Sequence, residues 1–162
     1  MIRELCKGDI ARCLEIYNYY IVNDTATFEI TPLSLSAFMQ RVETIQAEEP
    51  WFVYEENGCV LGYAYLSPYS EREAFAASKD LSVYVDAQVR GKGIGRKLMM
   101  AVLEAARARG VHLVVSVITC GNAASEKLHH ACGFVKTGEL PEAGCKFGKQ
   151  LGVSFFVKLI EE

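Results

Sequence analysis

A glycine-rich loop between a strand pattern and a helix pattern, in the middle of the chain, constrains the fold most strongly. The loop QVRGKGIG begins at Gln88, directly after the apolar pattern SVYV. The residues that follow it predict an amphipathic helix from about Gly95 to Arg109, which Gly110 ends. The inner face of this helix is predicted to carry Ile94, Leu98, Val102 and Ala105. The sequence therefore places a bare stretch of backbone at the start of a long helix.

Such a loop favours the binding of an anion. The first N–H groups of a helix have no partner within the helix, and the positive end of the helix dipole lies beside them, so a phosphate is stabilised there. Glycines lack a Cβ atom and let the anion approach the backbone closely. These glycines are Gly91, Gly93 and Gly95, and the positively charged residues among them are Arg90, Lys92 and Arg96.

The spacing of the glycines separates the known kinds of phosphate loop. A P-loop requires G-x-x-x-x-G-K-[ST], which is absent here, and a dinucleotide-binding loop requires glycine where Arg96 stands. A pyrophosphate loop of the form [QR]-x-x-G-x-[GA] matches residues 88–93 completely. A glycine-rich turn that only starts a helix stays open as the alternative.

The remaining segments predict an α+β fold with a mixed sheet. Asp9, Ser34 and Asn122 each precede a helical pattern and are predicted N-caps. Asn57-Gly58 lies between two strand patterns and predicts a hairpin. HLVVSVI is nearly all apolar, which predicts a central strand buried on both faces. The predicted order is strand, helix, helix, three strands, helix, strand, helix and two strands.

Apolar spacing also predicts the inner faces of the first two helices. The inner face of the first helix is predicted to carry Ile10, Cys13, Leu14, Tyr17 and Ile21. That of the second helix is predicted to carry Leu35, Phe38, Val42 and Ile45. The segments GFVKTGEL and VSFFVKLI predict the last two strands.

Length and charge limit the classes of function. A chain of 162 residues predicts one domain, here residues 1–162. The formal net charge of -3 argues against a nucleic-acid partner. No apolar run has the length of a membrane span and the first residues show no signal-peptide pattern, so we expect a cytoplasmic protein without a membrane partner.

The cysteines predict free thiols in a reducing compartment. They are Cys6, Cys13, Cys59, Cys120, Cys132 and Cys145. None forms a C-x-x-C pair, and the three histidines lie at no zinc-finger spacing, so no metal is expected. A catalytic cysteine stays open.

Two motifs resemble the GNAT acetyltransferase superfamily. The Q-x-x-G-x-G loop between a strand and a long helix is its acetyl-CoA signature, and NAASEKLHHACGF is similar to a second segment of the same fold. Within the superfamily the chain resembles the phosphinothricin N-acetyltransferase family, through IYNYYIVNDTATFE, SVYVDAQVRGKGIG, NAASEKLHHACGF and KFGKQLGVSFF. The resemblance implies a GNAT fold: a mixed, mostly antiparallel sheet of about seven strands flanked by about four helices.

The resemblance implies acetyl transfer from acetyl-CoA to an amine, with two residues in catalytic roles. Asp80 stands where the family usually has glutamate, and it would take the amine proton through water. The alternative for Asp80 is a solvated carboxylate at a strand end. His129 stands where many members have a tyrosine as general acid to the thiolate, and the alternative is a histidine that only packs the last helix on the sheet. His130 is expected to face solvent.

The resemblance also implies the residues that bind the coenzyme. Backbone groups of the strand before the loop would pair with the pantetheine like an added strand. The side-chain amide of Asn122 would contact the pantetheine as well as cap its helix. The complete set is Val83, Tyr84, Val85, Arg90, Gly91, Lys92, Gly93, Ile94, Gly95, Arg96, Asn122 and Ser125.

For the acceptor, the resemblance implies a small amino acid or an analogue of the phosphinothricin, methionine sulfone or methionine sulfoximine type. Phe28 and Glu29 match the family's substrate-side loop, and Arg72 matches an arginine that would bind the acceptor's oxyanion. The alternative for Arg72 is a solvated residue in a charged run. The family commonly forms homodimers through its C-terminal segment, where Val153 departs from an expected aspartate.

Two other functions stay open. One is acetylation of a protein N-terminus or lysine, which needs an open groove. The other is an acyl-CoA-binding sensor without turnover.

Overall fold

A computed structural model describes residues 1–161. The seven strands are β1 (Ile2–Glu4), β2 (Trp51–Glu56), β3 (Cys59–Pro68), β4 (Ser78–Val85), β5 (Leu113–Thr119), β6 (Val135–Lys146) and β7 (Lys149–Leu159). The four α-helices are α1 (Ile10–Asn23), α2 (Leu35–Gln46), α3 (Ile94–Ala108) and α4 (Ala123–Ala131). The predicted order of elements and the α+β class are confirmed.

The strands form one mixed sheet in the order β1-β2-β3-β4-β5-β7-β6. Neighbouring strands are antiparallel except β4 and β5, which run parallel. The parallel pairing covers Ser78↔Leu113, Lys79↔Val114 and Asp80↔Val115, and it ends there although both strands continue. The sheet therefore opens between β4 and β5 from Asp80 onward.

Helices cover both faces of the sheet and give two cores. Leu98, Met99 and Val102 of α3 are fully buried in the core on one face. On the other face α1 and α2 enclose an aromatic core that includes Trp51 and Tyr63, whose rings stack at 5.5 Å. Each core is shielded from water because the helices turn an apolar face toward the sheet, as the spacing of their apolar residues predicts.

Two of the three predicted N-caps are confirmed. Ser34 accepts a hydrogen bond from the Ala37 N–H, and Asn122 accepts one from Ser125. Asp9 holds the predicted N-cap position of α1, but its side chain makes no cap bond to that helix. Its carboxylate instead accepts the Cys6 N–H at 2.9 Å and binds Arg3.

The helix faces differ from prediction in two places. In α3 the fully buried residue is Ala106, whereas Ala105 is half-buried. In α2, Leu35 is 46% exposed because it is the first residue of the helix and lies beyond the core that Phe38 and Val42 reach. In α1 all the predicted inner-face residues are buried.

The prediction that β5 is buried on both faces is wrong at Val117. This residue is 52% exposed, while Val115 and Ile118 are buried. The cause is the separation of β4 from β5, which removes the neighbour that would cover it. An apolar strand pattern does not reveal such a gap.

The C-terminal hairpin is longer than predicted. β6 extends past Leu140 to Lys146, and the turn at Phe147 and Gly148 has φ angles of 52° and 70°. The segment PEAGC lacks β-branched residues and contains Pro141, so its propensity for strand is low. Because β6 is an edge strand with a register shift between Leu140 and Gly144, it tolerates the proline.

The close packing of β3 against α3 predicts the effect of one substitution. A Cβ atom at Gly62 would lie 2.9 Å from the Tyr84 carbonyl oxygen and 3.2 Å from Leu98 Cδ1. Gly62→Ala should therefore lower the free energy of unfolding in urea by about 1–3 kcal/mol. Gly8→Ala, where a Cβ atom would meet nothing within 4 Å, is the control and should change it little. Equal unfolding midpoints for Gly62→Ala and the wild type would contradict the packing described.

Candidate active site

A cavity of about 530 Å³ occupies the opening between β4 and β5. Residues 81–85 of β4 line one side, residues 116–119 of β5 line the other, and the glycine loop and α4 close it. Along residues 81–85 the backbone edge that faces β5 has lost its strand partner. An extended ligand can therefore pair with β4 in place of β5.

The glycine loop lies at the mouth of this cavity. Gly91 and Gly93 have φ angles of 81° and 76°, and a Cβ atom on either would meet nothing within 4 Å, so the space over the backbone is open. Gly93 is the N-cap residue of α3, and the first N–H groups of that helix are free for an anion. The geometry is that of a phosphate site.

The positively charged residues of the loop differ in their positions. Arg90 lines the cavity, and its guanidinium donates to the Asp24 carboxylate at 3.1 Å and to Tyr20 Oη at 3.3 Å. Arg96 also lines the cavity, whereas Lys92 is exposed outside its lining. All the other residues predicted to bind the coenzyme line this cavity.

Along β4, side chains alternate between the two faces of the sheet. Val83 and Val85 pack against the α3 core, and Tyr84 points to the α1 side, 5.0 Å from the Tyr17 ring. Tyr20 donates a hydrogen bond from its hydroxyl to the Val85 carbonyl. The side chains of β4 are thus fixed on both faces, which leaves the backbone edge as the part open to a ligand.

His129 lies in the cavity and also packs on the core. Its side chain is only 2% exposed, and its ring lies 5.1 Å from Phe134. Nδ1 is 2.8 Å from the Ser125 carbonyl oxygen, which can only accept, so Nδ1 carries a proton. Nε2 is buried and has no hydrogen-bond partner within residues 1–161. Burial lowers the pKa of the imidazole, which therefore stays neutral with a bare Nε2.

The predicted exposure of His130 is confirmed. It is exposed, although its ring lies 5.2 Å from that of the buried Phe156, and its Nδ1 lies 3.2 Å from the Phe134 carbonyl.

Asp80 stands at the point where the sheet opens. It pairs with Val115 of β5 in the last parallel pair, and on its other side it pairs with Ser67 of β3. Its Oδ1 is buried without a hydrogen-bond partner in the part of the chain described. Burial raises the pKa of the carboxyl to about 6. A carboxylate in this state is a better base than a solvated one.

Phe28 and Glu29 lie outside the cavity, on the α1 and α2 face. The Glu29 carboxylate accepts two hydrogen bonds from Arg41, at 2.7 and 2.9 Å, and one from Tyr17. The Arg41 guanidinium lowers the pKa of Glu29, which stays ionised. The Phe28 ring lies so close to Gly144 that a Cβ atom there would be 2.6 Å away.

Arg72 is exposed in the loop between β3 and β4. Its backbone N–H donates to Ser70 Oγ at 3.3 Å, and a 3-10 turn, Glu73–Phe75, follows. This loop enters β4 at the end that carries Asp80. Arg72 thus lies in the loop that leads to the Asp80 end of β4, but its guanidinium makes no hydrogen bond within residues 1–161.

Sequence reasoning missed two residues of this region. Arg41 fixes Glu29, and the buried Lys146 donates to three backbone carbonyls near the end of α1. Arg41 lies in no motif, and Lys146 begins the segment KFGKQLGVSFF, which carries part of the resemblance but gives no sign that its lysine is buried.

Comparison with known proteins gives the family. A model of the acetyltransferase (GNAT) family matches residues 13–134. The chain belongs to this family. An L-methionine sulfoximine/L-methionine sulfone acetyltransferase of Salmonella typhimurium is 36% identical over 99% of this chain and 95% of its own length. These matches confirm the resemblance stated from the motifs.

Solved structures of the GNAT family share the whole fold. A phosphinothricin acetyltransferase of Sinorhizobium meliloti in complex with acetyl-CoA has a TM-score of 0.97 at 32% identity, covering 100% of this chain and 89% of that one. A ribosomal-protein-alanine N-acetyltransferase of Brucella melitensis has a TM-score of 0.96 at 39% identity, covering 98% and 99%. The sheet of seven strands with four helices is confirmed as a GNAT fold.

Three further features concern membranes, metals and thiols. No helix within residues 1–161 is long and apolar enough to cross a membrane. The same residues contain no group of three or more His, Cys, Asp or Glu side chains placed to hold a metal ion. All six cysteines have free thiols.

The burial of Asp80 predicts how stability depends on pH. Because its pKa rises from 3.8 to about 6 on folding, ionisation costs the folded protein stability as the pH rises through this range. Above pH 6 the free energy of unfolding of Asp80→Asn should therefore exceed that of the wild type, by no more than about 2 kcal/mol because water screens part of the carboxyl, and the variant should also melt higher; near pH 3.5 the two proteins should be equally stable.

Asp9→Asn is the matched control and should change stability in the opposite direction. The hydrogen bonds from Arg3 lower the pKa of Asp9 to about 2, so its ionised form stabilises the fold above pH 3.8. That variant should melt lower than the wild type at pH 7.5. Equal melting of wild type and Asp80→Asn across the pH range would show that Asp80 is solvated.

Proposed function

We propose that this protein is an acetyl-CoA-dependent N-acetyltransferase that acts on the α-amine of a small amino acid or analogue. Methionine sulfone, methionine sulfoximine and phosphinothricin represent the acceptor class. The observation that carries the proposal is the half-buried Asp80 at the point where a cavity of about 530 Å³ opens between β4 and β5. The names of the related acetyltransferases support the acceptor class.

The cavity residues would hold the coenzyme along the sheet. Backbone N–H groups at Gly93 and in the first turn of α3 would bind the pyrophosphate, with Arg90 and Arg96 beside it. The backbone edge of Val83 to Val85 would pair with the pantetheine. This arrangement would direct the thioester toward the end of the cavity lined by Leu81, next to Asp80, where the pairing of β4 with β5 ends.

Asp80 would act as the base of the reaction. An ammonium group cannot attack, so the amine must first lose a proton, which Asp80 takes directly or through water. With a pKa of about 6 the carboxyl group is largely ionised at neutral pH. Because this pKa lies close to neutral pH, the group can also take up and release protons readily. The amine nitrogen then bonds to the acetyl carbon as the carbon–sulfur bond breaks. Asp80→Asn should lower kcat by about 10²-fold.

His129 would contact the coenzyme rather than donate a proton at neutral pH. Its neutral ring has a bare Nε2, which accepts hydrogen bonds. A thiol has a pKa near 8.5, so the departing thiolate can take its proton from water and needs little help from an acid. The general-acid role that the resemblance implies for His129 would require prior protonation of a buried ring.

The acceptor would bind on the α1 and α2 side of Asp80. Phe28, Glu29 and Arg72 form the proposed contacts, with Glu29 held ionised by Arg41 to receive the ammonium group. Arg72 would pair with the carboxylate or phosphinate oxygens.

A second candidate is acetylation of a protein N-terminus. A solved structure at 39% identity is a ribosomal-protein-alanine N-acetyltransferase, whose acceptor is also an α-amine. A panel of free amino acids and an alanine-terminated peptide, with detection of released thiol, separates the two candidates. Turnover of the peptide with none of the amino acids would overturn the proposed acceptor.

The proposal includes a homodimer in the cytoplasm that needs no metal, nucleic acid or membrane. The free thiols support a reducing compartment. The outer edge strand β6 exposes Val135 and Leu140, by 63% and 52%, and a second chain would cover such residues. Sedimentation at micromolar concentration tests the dimer, and a monomer there would contradict it.

The glycine loop predicts a specific loss of coenzyme binding. Gly93→Asp places a negative charge where the pyrophosphate would bind, so the affinity for acetyl-CoA in calorimetry should fall by about 100-fold or more. Gly110→Asp is the matched control, because Gly110 has a similar φ angle of 70° and open surroundings at the other end of α3. Equal affinity in both variants would contradict the assignment of the loop.

The proposed contact of Arg72 with the acceptor's oxyanion predicts which acceptors the enzyme would lose when Arg72 is replaced. Arg72→Ala should reduce kcat/KM for a free amino acid by about 30-fold or more, because loss of one partner from a charge pair costs about 2–5 kcal/mol. The corresponding amide should lose far less, and acetyl-CoA affinity should not change. Glu71→Ala, an exposed neighbour in the same loop, is the control. Equal losses for acid and amide would exclude recognition of the carboxylate by Arg72.

A further inference from the structure

Lys146, at the end of β6, is a buried lysine in the segment KFGKQLGVSFF, and the sequence assigns it no chemical role. It is 2% exposed, one of the most buried polar residues of the chain. Its ammonium group donates to the backbone carbonyls of Tyr20, Asp24 and Thr27, at 3.2, 2.7 and 2.8 Å. An ammonium group has three protons, so all its donors are used.

These contacts compensate for the cost of burying the charge. Tyr20 lies in the last turn of α1, and Asp24 is the residue that follows the helix, where the negative end of the helix dipole attracts a cation. Burial lowers the pKa of Lys146, and the nearby Asp24 and Glu29 carboxylates oppose that effect. The lysine therefore acts as a charged cap that joins α1 to the chain beyond it.

The chain that Lys146 holds, residues 24–29, reaches both substrate sites. At one end Asp24 binds Arg90 of the glycine loop, and Ala26 lines the coenzyme cavity. At the other end are Phe28 and Glu29, the proposed acceptor contacts. Between them, the Thr25 carbonyl accepts a hydrogen bond from Thr119 of β5 at 2.6 Å.

We infer that Lys146 is a positioning residue for both sites, because its three hydrogen bonds fix the segment that carries Asp24 toward the coenzyme and Phe28 and Glu29 toward the acceptor. This inference rests on the proposed function, through the acceptor contacts for one half and through the coenzyme contact of Arg90 for the other. A lysine that merely stabilised the fold would leave the binding constants of the folded enzyme unchanged.

Lys146→Met tests the inference, because methionine fills similar space without a donor. It removes the lysine's hydrogen bonds to three carbonyls, and although the Tyr20 carbonyl keeps the Asp24 N–H, those of Asp24 and Thr27 lose this donor, so we expect the segment to shift. The KM for the amino-acid acceptor should rise by about tenfold, the scale of one lost buried hydrogen bond, with a smaller change in kcat. The dissociation constant for acetyl-CoA in calorimetry should rise by about threefold or more, since a single contact through Arg90 is weakened.

Two variants in the same hairpin serve as comparisons. Lys149→Met, at an exposed lysine, should match the wild type in both constants. Gly144→Ala should raise only the acceptor KM, because its Cβ atom would meet the Phe28 ring at 2.6 Å and leaves Asp24 alone. Unchanged constants in Lys146→Met, with only a lower melting temperature, would overturn the inference.

If Lys146→Met does not fold, Lys146→Gln replaces it. The amide retains two donors for three carbonyls, so both constants should rise by about two- to fivefold, and wild-type constants would again overturn the inference. The calorimetric measurement requires no acceptor. A wild-type protein that binds acetyl-CoA but acetylates no amino acid would therefore refute the proposed acceptor, while the coenzyme half of the inference is still tested.

Discussion

The early end of the pairing between β4 and β5 determines most of the functional architecture. Only three residue pairs join these strands, and the last contains Asp80. Just beyond it Ser116 donates a side-chain hydrogen bond to the Leu81 carbonyl at 3.3 Å, and then the strands separate. Buried backbone groups need partners, so an open edge of this kind inside a sheet is stable only where water or a ligand can reach it. The cavity, its exposed Val117 and its pairing edge all follow from this separation.

The same separation sets the electrostatics of the site. Asp80 keeps one oxygen in a dry position at the closed end, which raises the pKa of its carboxyl, while the helix dipole of α3 acts at the open end. Negative charge on a ligand is therefore favoured at the mouth and disfavoured beside Asp80. A long ligand with an anionic head and a neutral reactive tail can satisfy both ends, and acetyl-CoA has this distribution of charge.

Local signals in the sequence predicted the elements, and distant contacts account for what was missed. The glycine loop, the Asn57-Gly58 hairpin and the caps at Ser34 and Asn122 are each contained within a few residues, so their chemistry is visible in the sequence. The contacts of Lys146 join residues 119 to 126 positions apart. Asp9 combines both cases: its position predicts a helix cap, but an arginine from β1 binds the carboxylate instead.

At His129 the surroundings of the ring favour a different role from the one that the resemblance implies. The resemblance places a proton donor there, and the structure does put the side chain in the cavity. Yet the Ser125 carbonyl holds the only proton of the neutral ring on Nδ1, and burial disfavours adding a second. The ring therefore offers a lone pair where a tyrosine would offer a hydroxyl proton. In the proposed mechanism water would be the acid that completes the reaction, and Asp80, whose pKa burial raises, would be the base.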